Sequence, residues 1–381
     1  MLDYLPYILL FVILFVASLL EISGIRNDQM KFVRWFVLTF LLFFVGLRYN
    51  TGADWSIYTA VFKNFPIYGN YVNWEPGFYW LMKLIYNLFG NYYVLQFLVT
   101  FFLLYAINRF FTKNSKYPIF CISIFVIIFL TTIMMAQVRQ SIALSIVLLG
   151  TPYIFKRDIF KYILVIFIAS LFHISSVVAL LLYFLYYRSS KSVLIFILLL
   201  AQSFIIFPSI IIDIINFISH LFPERLETLV NIYTNNLYSD DAEFGTGLFY
   251  IISVVFCIFV IIYSKNEKNE DNFFLNILVV TYVVIALSKS MVILGRFQSY
   301  FYVYAILAMV NLLDLKIKNF TMYIGKLVWL LVLFVIMQYP LIIFLKSKEV
   351  DKYSGICVSC NYVPYYNVLN YPEEANARTE E

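Results

Sequence analysis

Charge is what this chain has least of. Only 13% of its 381 residues are Asp, Glu, Lys or Arg, against 63% hydrophobic. That balance excludes a soluble domain. It leaves a polytopic helical membrane protein, because isolated backbone polar groups cannot sit in lipid. The formal charge of +5 is modest and spread over short loops, so nothing recommends nucleic acid as a partner. Cysteine is scarce as well. Cys121 and Cys257 lie in apolar runs and read as inert packing residues. Cys357 and Cys360 form a single Cys-x-x-Cys with no nearby His, half a zinc site at most. A disulfide in an oxidising compartment and a pair of free thiols both fit them. A phosphate-binding glycine loop with a Lys, a His-Glu-x-x-His and a paired Asp-x-Asp are all missing. The expected chemistry is therefore metal-independent, uses no nucleotide and needs no cofactor. No basic n-region or cleavage site opens the chain, so residues 5–20 read as a retained helix.

What is present is a series of long apolar runs. They fall near residues 5–21, 33–47, 92–110, 118–136, 138–155, 192–215, 247–263, 273–294, 297–314 and 323–345. Two further segments are ambiguous. Residues 76–90 are short and carry Lys83, and residues 161–187 are long with His173 and Ser176 near their middle. The positive-inside rule assigns both. Suppose 76–90 is a surface or re-entrant segment and 161–187 a bent hairpin. The basic loops around Arg34, Lys113, Arg157, Arg188, Lys265 and Lys316 then all face the cytoplasm. With two simple crossings instead, the Lys113 and Arg157 loops move outside and the asymmetry fails. The expected fold is an all-α polytopic membrane protein with about ten transmembrane helices besides those two segments. Both termini face outward, as do an aromatic loop at 48–91 and an acidic loop at 216–246. No internal repeat divides the chain. It reads as one integral membrane domain over 1–345 and a polar C-terminal tail over 346–381.

In this arrangement Arg48, Arg139 and Arg296 share the outer side, which should be poor in positive charge. Charges at membrane depth cost about 2.5–3.5 kcal/mol each on insertion scales, so they mark sites. Three guanidinium groups on one face suit a phosphate-bearing or polyanionic ligand. The densest cluster runs from Gly46 through Arg48, Gly52 and Asp54 to Tyr58. Gly52 allows a turn that brings Asp54 back towards Arg48. An anion clamp with a nearby base is one reading of the pair, and an interfacial anchor for the helix end is the other. Arg139 sits between two crossings with almost no loop. Its neighbours Gln137 and Gln140 favour a polar cavity over snorkelling to headgroups. His173, beside Ser175 and Ser176 in a long apolar stretch, fits a base or proton shuttle and equally a hydrogen-bonding residue at a helix break. Lys289 and Arg296 add cations to the outer side. Tyr300, Tyr302 and Tyr304 follow them, as an aromatic belt or a sugar-stacking surface.

Taken in order, these residues resemble a known group. Leu47-Arg48-Tyr49-x-x-Gly52-x-Asp54-x-x-x-Tyr58, then Arg139-Gln140 heading a helix, then Phe172-His173-x-Ser175-Ser176, then Arg296-Phe297 are similar to the EpsG/Wzy group of bacterial polysaccharide polymerases. Pro364-Tyr365 in the tail is similar too. The resemblance implies a GT-C-like glycosyltransferase of the bacterial inner membrane, with its active site facing the periplasm. It implies transfer of a growing glycan from undecaprenyl pyrophosphate onto a lipid-linked repeat unit, in the bilayer and alongside a chain-length regulator protein. On that reading Arg139 and Arg296, helped by Arg48, hold the departing pyrophosphate, with Gln140, Lys289 and Tyr58 among the binding residues. Asp54, His173 or Glu75 takes the proton from the acceptor hydroxyl. Asp54 ranks first, because its loop lies at the water interface and His173 lies deeper.

Two other function classes fit parts of the pattern. A lipid-linked oligosaccharide flippase also wants a cationic cavity, but it would show two similar halves or cations through its middle. A membrane O-acyltransferase would carry an Arg/His pair near its first helix, and none is there.

Overall fold

The computed structural model describes residues 4–24, 27–69, 71–206, 248–264, 269–288, 294–311 and 362–369. The expected crossing at 323–345, the acidic loop at 216–246, Lys289, Cys357 and Cys360 lie outside them. The described residues are mostly helical. The order is α1 (Leu5–Ile22), α2 (Asn27–Gly46), β1 (Arg48–Tyr49), α3 (Trp55–Lys63), α4 (Phe65–Tyr68), α5 (Pro76–Phe89) and α6 (Tyr92–Asn114). Then come α7 (Pro118–Phe129) with a π-helical turn over Leu130–Met134, α8 (Val138–Phe155), α9 (Ile159–Ser170), a 3-10 stretch over Ile174–Leu180 and α10 (Leu181–Phe184). The last are α11 (Lys191–Ile206), α12 (Leu248–Tyr263), α13 (Asn269–Ser288), α14 (Gly295–Asn311) and β2 (Tyr366–Asn367).

The helix α1 displays the membrane requirement. It buries Tyr7, Leu10, Leu14 and Ala17, yet its exposed face of Ile8, Leu9, Val12 and Val16 is just as apolar. A helix apolar all round belongs in a large core or in lipid. The helices α2 and α6 repeat the pattern, turning Phe36 and Phe43, or Leu98 and Phe101, outward. Among the described residues five helices are long and apolar enough to cross a membrane, namely α1, α2, α6, α8 and α13. The apolar helices α9, α11 and α12 are shorter, so the expected count of about ten is not reached among these residues.

The chain forms two compact units. One comprises 1–152, 160–177 and 316–381; the other comprises 153–159 and 178–315. In the second, α13 packs against α14 and α11. Its first residues are tied down by Arg157, whose guanidinium lies 4.3 Å over the Tyr183 ring and donates to the Tyr183 carbonyl at 2.9 Å.

In the first unit, one contact counts crossings. Glu21, in the last turn of α1, accepts from the Ile119 and Phe120 amides at 3.0 and 2.9 Å and so caps the start of α7. The end of α1 and the start of α7 therefore share one side of the membrane. The chain between them makes an even number of crossings, and α2 and α6 supply two. The helix α5 is then not a full crossing. Its 14 residues rise about 21 Å, short of the roughly 30 Å of hydrocarbon. This agrees with the surface or re-entrant reading of 76–90. The rest of 48–91 departs from the expected loop, because it folds into α3, α4 and α5. Its many aromatic residues pack against one another, with Trp55, Tyr58, Phe62 and Phe78 all buried.

The segment 362–369 returns to the same end of the unit. β2 pairs antiparallel with β1, setting Arg48 opposite Asn367 and Tyr49 opposite Tyr366. Tyr362 accepts from the Ala53 amide at 3.2 Å and donates to the Thr131 carbonyl at 2.7 Å. The Tyr365 ring stacks on Phe44 at 4.4 Å, nearly parallel.

Candidate active site

Four side chains from four elements of the first unit meet in one chain of contacts. The helix α8 begins at Val138, so Arg139 stands in its first turn. A cation is unfavourable at the positive end of a helix and needs an anion. Glu75 supplies it. The Arg139 Nη1 donates to Glu75 Oε2 at 2.6 Å, and Arg139 Nε donates to the Tyr58 hydroxyl at 3.2 Å. The other carboxylate oxygen, Oε1, lies 2.9 Å from His173 Nδ1 and accepts from the Ile174 amide at 3.3 Å.

Local sequence explains how each group arrives. Glu75 precedes Pro76, and a residue before proline is held extended. Glu75 therefore stands outside α5 at its N-terminus, with its side chain released from the helix. The Gly77 amide then donates to the Leu171 carbonyl at 2.7 Å. A Cβ on Gly77 would sit 2.8 Å from that oxygen, so only glycine permits the approach. This docks the start of α5 on the turn after α9, where His173 lies. Tyr58 is enclosed by Trp74 and Phe78. Burial raises its pKa, which keeps the phenol neutral beside Arg139.

Electrostatics in the chain are lopsided. Burial opposes ionisation of Glu75, but the hydrogen bond from His173 and the charge and hydrogen bond of Arg139 outweigh it and hold the carboxyl at about 2. Glu75 is thus a fixed anion and a weak base. A carboxylate at Nδ1 selects the tautomer with its proton on that nitrogen. The lone pair is then on Nε2, which has no partner and is not enclosed among the described residues. Arg139 Nη2 is likewise uncommitted there.

The other expected site residues lie elsewhere. Arg48 is 1% exposed, and its guanidinium donates to three backbone carbonyls, those of Val45, Thr51 and Met135, at 2.7–3.0 Å. No face is left for a ligand, so the clamp expected of Arg48 is replaced by a strut. The contacts of the Arg48 guanidinium are these three carbonyls, where the Gly52 turn was expected to bring Asp54 to it. Gly52 serves a different need. Its φ is +117°, and a Cβ there would meet the Met135 carbonyl oxygen at 2.3 Å. Asp54 stands half-buried at the start of α3, outside the Arg139–Glu75–His173 chain. His173 is linked through Glu75 to the first turn of α8, on the turn that follows α9. Gln140 is buried within α8. Arg296 is exposed in the first turn of α14, in the second unit.

Gly77 and Tyr362 went unnoticed in the sequence. Their signals are faint: a glycine one place past the Glu75-Pro76 pair, and one tyrosine among 32. Among the described residues no group of His, Cys, Asp and Glu is arranged to hold a metal ion. No curated protein and no solved structure is found to match the chain. The EpsG family model matches residues 31–367, a span that takes in Tyr58, Glu75, Arg139 and His173 together with both strands, and the chain belongs to the EpsG family.

Proposed function

We propose that this protein polymerises polysaccharide by transferring a growing glycan from undecaprenyl pyrophosphate to a lipid-linked repeat unit. Family membership supports a polymerase-type function in general, and the contact chain supports a mechanism. His173 is the base. Its Nε2 takes the proton of the acceptor hydroxyl as that oxygen attacks the anomeric carbon and the bond to pyrophosphate breaks. Glu75 holds the ring by Nδ1 and stabilises the imidazolium, as the carboxylate does in a Ser-His-Asp triad. Its depressed pKa keeps it anionic throughout. Arg139 turns its uncommitted Nη2 to the departing pyrophosphate, whose negative charge grows in the transition state. The site faces the periplasm, where flipped repeat units arrive.

The observation that carries this reading is the Glu75 bridge between a guanidinium and an imidazole, each with one nitrogen open. The test is the lipid-linked pool. Cells lacking the protein should accumulate single repeat units on the outer side of the inner membrane, and His173→Gln at normal protein level should do the same. Single units stranded on the cytoplasmic side would mean a flippase instead.

A further inference from the structure

The break between α7 and α8 lies just before Arg139, and its residues Thr131, Ile133 and Met135 are buried. Buried carbonyls in irregular backbone need donors. Here three of them are met by side chains. Thr131 accepts from the Tyr362 hydroxyl at 2.7 Å, Ile133 from the Ser141 hydroxyl and Met135 from Arg48 at 2.8 Å. Ser141 belongs to α8 itself, and Arg48 to β1. Tyr362 comes from the far end of the chain. The break carries a π-helical turn, a feature frequent at functional sites.

Tyr362 is buried and held from both ends. Its carbonyl accepts from the Tyr7 hydroxyl at 2.6 Å. Its own hydroxyl accepts from the Ala53 amide and donates to the Thr131 carbonyl, so one oxygen ties two stretches of chain together. Ala53 lies in the turn that launches α3, where the Trp55 amide donates to the Gly52 carbonyl at 3.1 Å. Thr131 lies in the turn that precedes α8. The same stretches meet again further on, where Arg139 Nε donates to the Tyr58 hydroxyl at 3.2 Å. Residues 53–58 and 131–139 therefore form a closed ring with a phenol at each junction. Arg48 ties the chain only as far as Thr51, before the Gly52 turn, so the start of α3 falls to Tyr362.

We infer that Tyr362 is a positioning residue of the reaction centre, its hydroxyl setting α3 against α8 so that Tyr58 holds the Nε edge of Arg139; the inference rests on the polymerase reading. With Nε on Tyr58 and Nη1 on Glu75, the plane of the guanidinium is fixed and Nη2 is left for the pyrophosphate. Without the Tyr362 hydroxyl, α3 is free to draw away from α8. Arg139 can then turn its fork onto the Glu75 carboxylate and close Nη2 to a ligand. Tyr362 touches no reacting group, so its loss is felt in turnover through geometry alone.

The full-length protein in lipid nanodiscs is supplied with lipid-linked repeat units extracted from cells that lack it. Tyr362→Phe keeps the ring and removes both hydrogen bonds. It should lower kcat about ten- to a hundredfold with KM within about twofold, in a protein that still melts in one transition. Tyr58→Phe combined with Tyr362→Phe should lose no more than the worse single variant, because both act on one guanidinium. Losses that multiply, an unchanged kcat or a loss confined to KM each overturn the inference. If Tyr362→Phe does not accumulate, Tyr7→Phe decides, since it frees only the carbonyl of residue 362. A smaller loss of kcat is expected from it, and none overturns the inference. Amide exchange read by mass spectrometry tests the joint without turnover. Tyr362→Phe should speed exchange at residues 53–58 and 136–139 together, and unchanged exchange at either overturns the joint. Linked exchange in a protein whose unaltered form makes no polymer sinks the polymerase reading and leaves the joint standing. Linked exchange with full turnover sinks the positioning role and leaves the polymerase reading intact.

Discussion

Arg48 and Arg139 look alike in the sequence. Each is a lone cation where one apolar run ends and another element starts. The fold uses them in opposite ways. Arg48 is closed off, and its donors are spent on neutral carbonyls at Val45, Thr51 and Met135. Arg139 keeps a quarter of its side chain exposed and divides its donors between a phenol and a carboxylate. Three carbonyls make a permanent joint, since they neither ionise nor leave. A carboxylate shared with a histidine, beside an unspent Nη2, can exchange partners when an anion arrives. The worth of a membrane arginine is therefore read from its acceptors.

Four measurements would break or sharpen that contrast. The largest effect belongs to His173→Gln, expected to lower the polymerisation rate about 10²–10⁴-fold at normal protein level. Chain-length profiles of the glycan check it. Asp54→Asn should lose far less, and the reverse order would return the base to Asp54. Arg139→Lys comes next, with a loss of about 10²–10³-fold, because an ammonium cannot keep Tyr58 and Glu75 while reaching a phosphate. Full-length polymer from that variant would end its role as a clamp. Arg48→Met should strike stability instead. Three buried carbonyls lose their donor, at a cost of about 3 kcal/mol or more, seen as a lower unfolding temperature and yield. The surviving folded molecules should polymerise normally, and a folded but inactive Arg48→Met protein would undo the strut assignment.

The smallest effect is one of pH. The Glu75 carboxyl is held below its ordinary 4.5, at about 2, so the stability it lends is complete above about pH 4.5. That stability is lost as pH falls from there towards 2. The difference in melting temperature between the unaltered protein and Glu75→Gln should shrink as pH falls below about 4.5. A difference that does not shrink below about pH 4.5 would show that Glu75 is not the low-pKa anion described.

The long helices were legible because hydropathy alone dictates them. α1, α2, α6 and α8 fall within a few residues of the expected runs, and the break at Leu171–His173 falls in the stretch expected to bend. The site was half legible. Arg139 and His173 could be picked out as polar groups in costly places, Tyr58 as the end of the cluster begun at Gly46, and Glu75 only as one of three candidate bases. Their pairing could not, since Glu75 is 64 residues from Arg139 and 98 from His173. His173 sits amid apolar letters, and only the end of α9 at Ser170 shows that the helix stops before it. Arg48 misled because backbone carbonyls leave no mark in a sequence. The strand at Tyr366–Asn367 was invisible, being two residues long and paired with a partner more than 300 positions away.

That two-residue strand has a consequence for biosynthesis. Arg48 and Tyr49 are made early, and they wait through the insertion of every intervening helix for Tyr366 and Asn367 to appear. The ribbon closes only if those helices have turned an even number of times across the bilayer. One missed insertion would leave the late strand on the wrong side, with the Ala53 amide and the Thr131 carbonyl lacking Tyr362. The pairing thus acts as a seal on a correctly threaded chain. A molecule stalled or misthreaded before residue 362 would carry Arg139, Glu75 and His173 beside an unlatched α3, and proteolysis should find it first at the turn around Gly52.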